Sequence, residues 1–189
     1  MASSNYSTYE RELKSILEAE TSALKRYRRT ATTPGALEAL DKLEQRPFLV
    51  VRAAGSHGFD LVALRGSLSL PIEVKCSGES VIRFASSRGR NQEQYHQLLA
   101  HTRKSGLALL YAYRLVGGTD EDPWRLFSVG ANGGVSGSPT EGNGPIGGIA
   151  GIVARGTPAV SMSPQGNIIL RWSEGRRLTD LLSWVATLP

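Results

Sequence analysis

At 189 residues and 40% hydrophobic content, the chain can bury one sizeable core, and a single domain is the default expectation. The formal charge of +5 favours a polyanionic partner without identifying one, since many basic proteins bind nothing in particular. The single cysteine, Cys76, excludes an intramolecular disulfide and fits a reducing compartment. No run of about 18 apolar residues occurs and no apolar signal core opens the chain, so the expectation is a soluble, cytoplasmic protein with no membrane contact.

In chain order, residues 7–29 read as a helix, with Leu13, Ile16, Leu17, Leu24 and Tyr27 on one apolar stripe. Glu10 falls on the flank of that stripe. There it either leans toward a site at the core edge or serves the helix dipole as an ordinary first-turn glutamate. The stretch ends in Lys25-Arg26-Tyr27-Arg28-Arg29, a solvated basic end or a phosphate contact. Thr33-Pro34-Gly35 breaks the chain, and residues 36–44 read as a short helix with Leu37, Leu40 and Leu43 on one face. Strands are expected at 48–53, 59–64 and 70–76, with Arg65-Gly66-Ser67 turning between the last two, and a further short one at 81–85.

Helical spacing returns over 88–105, where Tyr95, Leu98, Leu99 and Thr102 form the inner face. The segment before them is rich in donors, including Arg83, Arg88, Arg90 and Gln94. Residues 107–114 are very apolar and read as a buried central strand, 117–123 as a loop and 124–129 as an outer strand. Glycine dominates about 130–156, too heavily to form long regular elements, and an exposed loop is expected. No Gly-Lys-Ser/Thr follows residues 144–148, which excludes a phosphate-binding loop of that type. A C-terminal extension, about 157–189, holds a strand at 167–172 and an amphipathic helix at 177–184, which either closes the core or meets a partner subunit. Residues from 130 onward are expected to matter less for chemistry than for assembly or substrate grip.

The chemistry concentrates in Asp60 and in Ile72-Glu73-Val74-Lys75. Along a strand side chains alternate, so Glu73 and Lys75 share one face while Ile72 and Val74 pack on the other. Asp60 arrives after a Gly-Ser-His-Gly turn on the neighbouring strand. Asp60, Glu73 and the Val74 carbonyl form an all-oxygen ligand set suited to Mg²⁺, with Mn²⁺ as substitute; no Cys/His set for zinc is present. Lys75 is then placed to orient a water or to steady charge on a phosphate. Cys76 lacks a His/Asp partner set and reads as a small buried residue.

Asp followed by Glu-x-Lys resembles the signature of the PD-(D/E)XK nuclease superfamily. The flanks Val50-Val51-Arg52-Ala53-Ala54-Gly55-Ser56, Asp60-Leu61-Val62-Ala63 and Ile72-Glu73-Val74-Lys75, with Glu10-Arg11-Glu12-Leu13 upstream, resemble the archaeal-type Holliday junction resolvases. The likeness covers most of the first 130 residues, interrupted by a helical insertion at about 18–47. It implies an α/β fold of the restriction-endonuclease-like kind, a mixed central β-sheet flanked by helices in one nuclease domain spanning 1–189. It also implies a Mg²⁺-dependent homodimer that nicks four-way junction DNA symmetrically, with Glu10 and Ser56 joining Asp60, Glu73 and Lys75 in the active site. Arg11 and Arg52 match positions that touch DNA or support the site. His57 stands in the DNA-contacting loop and is conceivable as a general base, and Arg88 and Arg90 are further candidates for DNA contact. A restriction- or repair-type nuclease acting on duplex DNA and a non-catalytic DNA-binding relative are the alternatives.

Overall fold

The computed structural model describes residues 3–53, 58–84, 90–118, 121–129 and 148–188. Helix α1 (Ser3–Leu17) stops inside the stretch expected to be one helix. Ala19 takes the left-handed conformation, φ 55°, and the N–H groups of Ala19 and Glu20 return to the carbonyls of Ile16 and Ser15. This is a Schellman closure made without glycine, and it separates α1 from α2 (Thr21–Tyr27). Helix α3 (Pro34–Gln45) begins with proline in its first turn, and Thr33 Oγ1 accepts a bond from the Ala36 N–H, the chemistry that favours a helix start. Leu24, Leu40 and Leu43 are at most 1% exposed. At about 2 kcal/mol for each such buried side chain, α2 and α3 are part of the core.

The strands are β1 (Leu49–Arg52), β2 (Leu61–Arg65), β3 (Leu68–Ser77), β4 (Val81–Arg83), β5 (Leu109–Leu115), β6 (Trp124–Val129), β7 (Ser161–Met162), β8 (Ile168–Arg171) and β9 (Arg176–Arg177). Six of them form one sheet in the order β1-β2-β3-β5-β6-β9, and β4, β8 and β7 form a second. The β3–β5 pair is parallel and its neighbours are antiparallel. Helix α4 (Arg90–Ser105) lies on the crossover that a parallel pair requires.

Alternation along β5 divides the interior in two. Leu110 and Ala112 join Ile72 and Val74 of β3 in a layer with side chains of α1, α2 and α3. Leu109, Tyr111 and Tyr113 face the other side, against Phe84, Tyr95 and Leu98 and against Ile168, Leu170 and Trp172. The fold is thus α/β, a central mixed sheet flanked by helices.

The C-terminal part departs from expectation. Residues 130–147 lie outside the described residues, but 148–156 form helix α5 (Gly148–Gly156), because Val153 and Ala154 bury completely or nearly so among the glycines. Trp172 opens a short 3-10 turn instead of ending a strand. Helix α6 (Leu178–Val185) lays Leu178, Leu181, Leu182 and Val185 into this chain's own core, so it closes the core. Asp122 fastens these pieces together. Its Oδ1 accepts from Tyr27 Oη and the Trp124 N–H, and its Oδ2 accepts from the Thr179 N–H and Oγ1, both at 2.9 Å. Among the described residues no helix is long and apolar enough to cross a membrane.

Candidate active site

Strand β3 carries the centre of the site. Its even-numbered residues Leu70, Ile72 and Val74 are buried in the helix-covered layer, which turns Glu73 and Lys75 to the opposite face. Both are nearly sealed, 4% and 8% exposed, and Lys75 Nζ lies 5.8 Å from the centre of the Phe84 ring. Lys75 Nζ donates to Glu73 Oε1 at 2.8 Å.

Asp60 sits in the bend just ahead of β2. Its N–H donates to the Ile72 carbonyl and its own carbonyl accepts from the Ala53 N–H, so its backbone is held between β1 and β3. That fixes the side chain, whose Oδ2 accepts from the Val74 N–H at 2.7 Å. Gly58, at φ 79°, supplies the sharp entry into this bend.

Four of the residues expected in the site line one cleft of about 650 Å³: Glu10, Asp60, Glu73 and Lys75. Val74 also lines it; since its side chain packs in the opposite layer, it does so with its backbone. Glu10 is in reach of the cleft because α1 lies beside β1 and β3, while α2 and α3 pack into the same helix-covered layer as α1 without displacing it. Glu10 Oε2 is bound by Arg52 Nη2 at 2.6 Å. Arg11 is not brought here. Its guanidinium donates to the Ser7 carbonyl and Oγ, and it lines a different cleft. Ser56, His57 and Arg88 lie outside the described residues, and Arg90 is the first residue of α4 with its side chain outside them.

Gln94 belongs to the cleft although the sequence marks it only as one of several donors. Its Nε2 donates to Glu73 Oε1 at 2.8 Å and to the Gly58 carbonyl at 3.2 Å, and its Oε1 accepts from Lys75 Nζ at 3.1 Å. One amide thereby orients both members of the Glu73–Lys75 pair. Cys76, expected to be buried, is half-exposed on the cleft wall, where burial still pushes its thiol pKa up.

The electrostatics follow from burial. Desolvation pushes Glu73 up to about 7, with the Asp60 charge adding and Lys75 opposing. Desolvation also raises Asp60; the Val74 N–H opposes this and the Glu10 charge adds to it. Two carboxyls in one poorly solvated place resist joint ionisation. Glu73 Oε2 is buried without a hydrogen-bond partner, an arrangement that costs free energy unless something outside the chain completes it. Among the described residues no group of three or more His, Cys, Asp or Glu is gathered as a finished cation cage. Mg²⁺ does not need one, since it is commonly held by one or two carboxylates, with waters and substrate phosphate filling its remaining positions. The unsatisfied Glu73 oxygen, Asp60 and the Val74 backbone therefore fit a hard divalent cation.

Fold and site define a mixed α/β protein in which Glu73 and Lys75, nearly sealed on β3, and the half-buried Asp60 ahead of β2 open to one cleft. Among solved structures the chain is similar to a Holliday junction resolvase from the archaeal hyperthermophile Archaeoglobus fulgidus, with 19% identity over 77% of this chain and 90% of that one and a TM-score of 0.46. No family model matches the chain, and no curated protein matches it.

Proposed function

We propose that the chain is a Mg²⁺-dependent endonuclease that hydrolyses DNA phosphodiesters, acting as a homodimer that places paired nicks in four-way junctions. The observation that carries the hydrolytic reading is the buried Glu73 carboxylate, unsatisfied at Oε2 and set beside Asp60 and Lys75. Asp60 and Glu73 would hold the cation with the Val74 carbonyl, and the ion would supply Lewis acidity and neutralise charge on the scissile phosphate. Lys75, held by Glu73 and Gln94, directs a compact positive charge into the cleft, where it steadies the charge that builds on phosphorus oxygens. Glu10, at the cleft edge and paired to Arg52, would complete the ligand sphere through water. The junction and the dimer are supported by the motif likeness of residues 50–56, 60–63 and 72–75.

The test is strand cleavage of a labelled four-way junction and a matched duplex, in Mg²⁺ and in EDTA, by wild type, Asp60→Asn and Lys75→Ala. The expected result is metal-dependent paired nicking of the junction, lost in both variants. Equal cutting of the duplex would replace the junction reading with a restriction- or repair-type nuclease. Junction binding without cleavage under any divalent metal would leave a non-catalytic DNA-binding protein.

A further inference from the structure

The basic run at 25–29 is sorted by the fold into unlike parts. Tyr27 is buried on Asp122, and Arg28 is consumed by Asp41 and Glu44 at 2.7 and 2.8 Å. Arg26 instead lines a second cleft of about 500 Å³ between α1 and α2, together with Arg11 of α1 and Arg114 of β5. The one carboxylate in that lining, Glu12, is engaged by Arg114 Nε and by Trp124 Nε1, both at 3.1 Å. Arg11 and Arg26 are exposed and take part in no ion pair among the described residues. The hydroxyls of Thr8, Ser15 and Thr30 complete the rim.

We infer that this cleft between α1 and α2 binds the phosphodiester backbone of nucleic acid, with Arg26 and Arg11 as the phosphate contacts, at a place separate from the cleft that holds Glu73. The inference rests on the reading of the chain as a DNA-acting enzyme. Its chemistry is that of two guanidiniums with no carboxylate partner among the described residues, Arg26 and an Arg11 held only by neutral Ser7 oxygens, beside the rim hydroxyls, the set that recurs at phosphate oxygens. The occupant is a polymer backbone. The guanidiniums sit on an open, solvated rim where a free phosphate would keep its water, whereas a strand can gather many such contacts through counterion release. Helix α1 joins the two clefts, since Glu10 faces one and the next residue, Arg11, faces the other, about 100° around the helix. A strand leaving the Glu10 edge and crossing α1 meets Arg11 and then Arg26.

The experiment is fluorescence-anisotropy binding of labelled junction and duplex DNA in EDTA, across a salt series, by wild type, Arg26→Ala and Arg29→Ala. Arg29 is exposed in the same basic run but does not line the cleft, so it controls for net charge. Arg26→Ala is expected to reduce the slope of log K against log salt by about 0.9, the share of one phosphate contact, while Arg29→Ala keeps the wild-type slope. Equal effects of the two variants, or no change in Arg26→Ala, would overturn the inference while leaving the nuclease reading intact. Failure of the wild type to bind any nucleic acid would overturn both. A further titration replaces chloride with inorganic phosphate at matched ionic strength. Unchanged competition is expected for a backbone contact, and selective displacement by phosphate would make the cleft a small-anion site and overturn the assignment to a strand.

Discussion

Asp122 and Glu73 are both buried carboxylates, 3% and 4% exposed, and the chain surrounds them in opposite ways. Both oxygens of Asp122 are satisfied by donors from three separate parts of the chain: Tyr27, Trp124 and Thr179. Glu73 receives two donors on Oε1 and none on Oε2. A carboxylate completed from within fastens the fold. One left incomplete, beside a second carboxyl and a lysine and opening on a cleft, is the place where the proposed cation would complete it.

The largest effect expected to separate them is on the proposed cleavage. Glu73→Gln is expected to lower single-turnover DNA cleavage by about 10³-fold or more, which corresponds to several kcal/mol of transition-state stabilisation; a near-wild-type rate would remove Glu73 from the chemistry. Asp122→Ala should instead cost stability, about 3 kcal/mol by urea unfolding, because it strands buried donors from Tyr27 and Thr179. Mg²⁺ sharpens the contrast. By linkage it should raise the melting temperature of wild type and of Asp122→Ala, and do nothing for Glu73→Gln. Equal Mg²⁺ stabilisation in all three would place the ion elsewhere.

Gln94→Leu is the intermediate case, because it removes the amide that orients Glu73 and Lys75 but touches no proposed ligand oxygen of Asp60. A loss of about 10- to 100-fold in metal affinity or cleavage is expected, read by metal titration and initial rates. The smallest effect is on pH dependence in EDTA. The folded chain keeps the Glu73 proton up to about 7, against an ordinary value of 4.5. Across that interval the folded state therefore binds more protons than the unfolded one, and this contribution to stability is lost as pH rises. The slope is at most about 1.4 kcal/mol per pH unit, and it should be absent from Glu73→Gln. A melting series at pH 5, 6 and 7 measures it, and saturating Mg²⁺ should abolish it because the ion takes the proton's place.

Much of the site could be read from the sequence because it rests on a period of two within one strand. Ile72-Glu73-Val74-Lys75 announces which pair shares a face, and a glycine-containing turn ahead of Asp60 announces the neighbouring strand. Glu10 is less legible. Its place on the flank of a helical stripe is compatible with an ordinary first-turn glutamate, and what settles its position is how α1 lies against β1 and β3. Gln94 carries no such pattern, since its bonds to Glu73 and Lys75 span 21 and 19 residues and depend on where α4 crosses the sheet. The break after α1 was hidden because Ala19 takes a conformation that glycine normally signals. Asp122 lay in what reads as a plain loop, and its role comes from elements near both ends of the described chain. The helix at 148–156 was masked by its glycines, whose cost is offset by the burial of Val153 and Ala154.

The pairing of β4 with β8 bears on timing. Val81 and Ile82 line the Glu73 cleft, and β4 is hydrogen-bonded to residues 169–171, roughly 90 positions further along the chain. Trp172, next after β8, donates its N–H to the Ser80 carbonyl and packs among Phe84 and Tyr111 behind the same wall. A chain emerging from the ribosome at about 5–20 residues per second therefore presents Asp60, Glu73 and Lys75 for several seconds before that wall can be built. During those seconds the carboxylates lack the part of their cleft wall that Val81 and Ile82 supply once β4 is paired with β8.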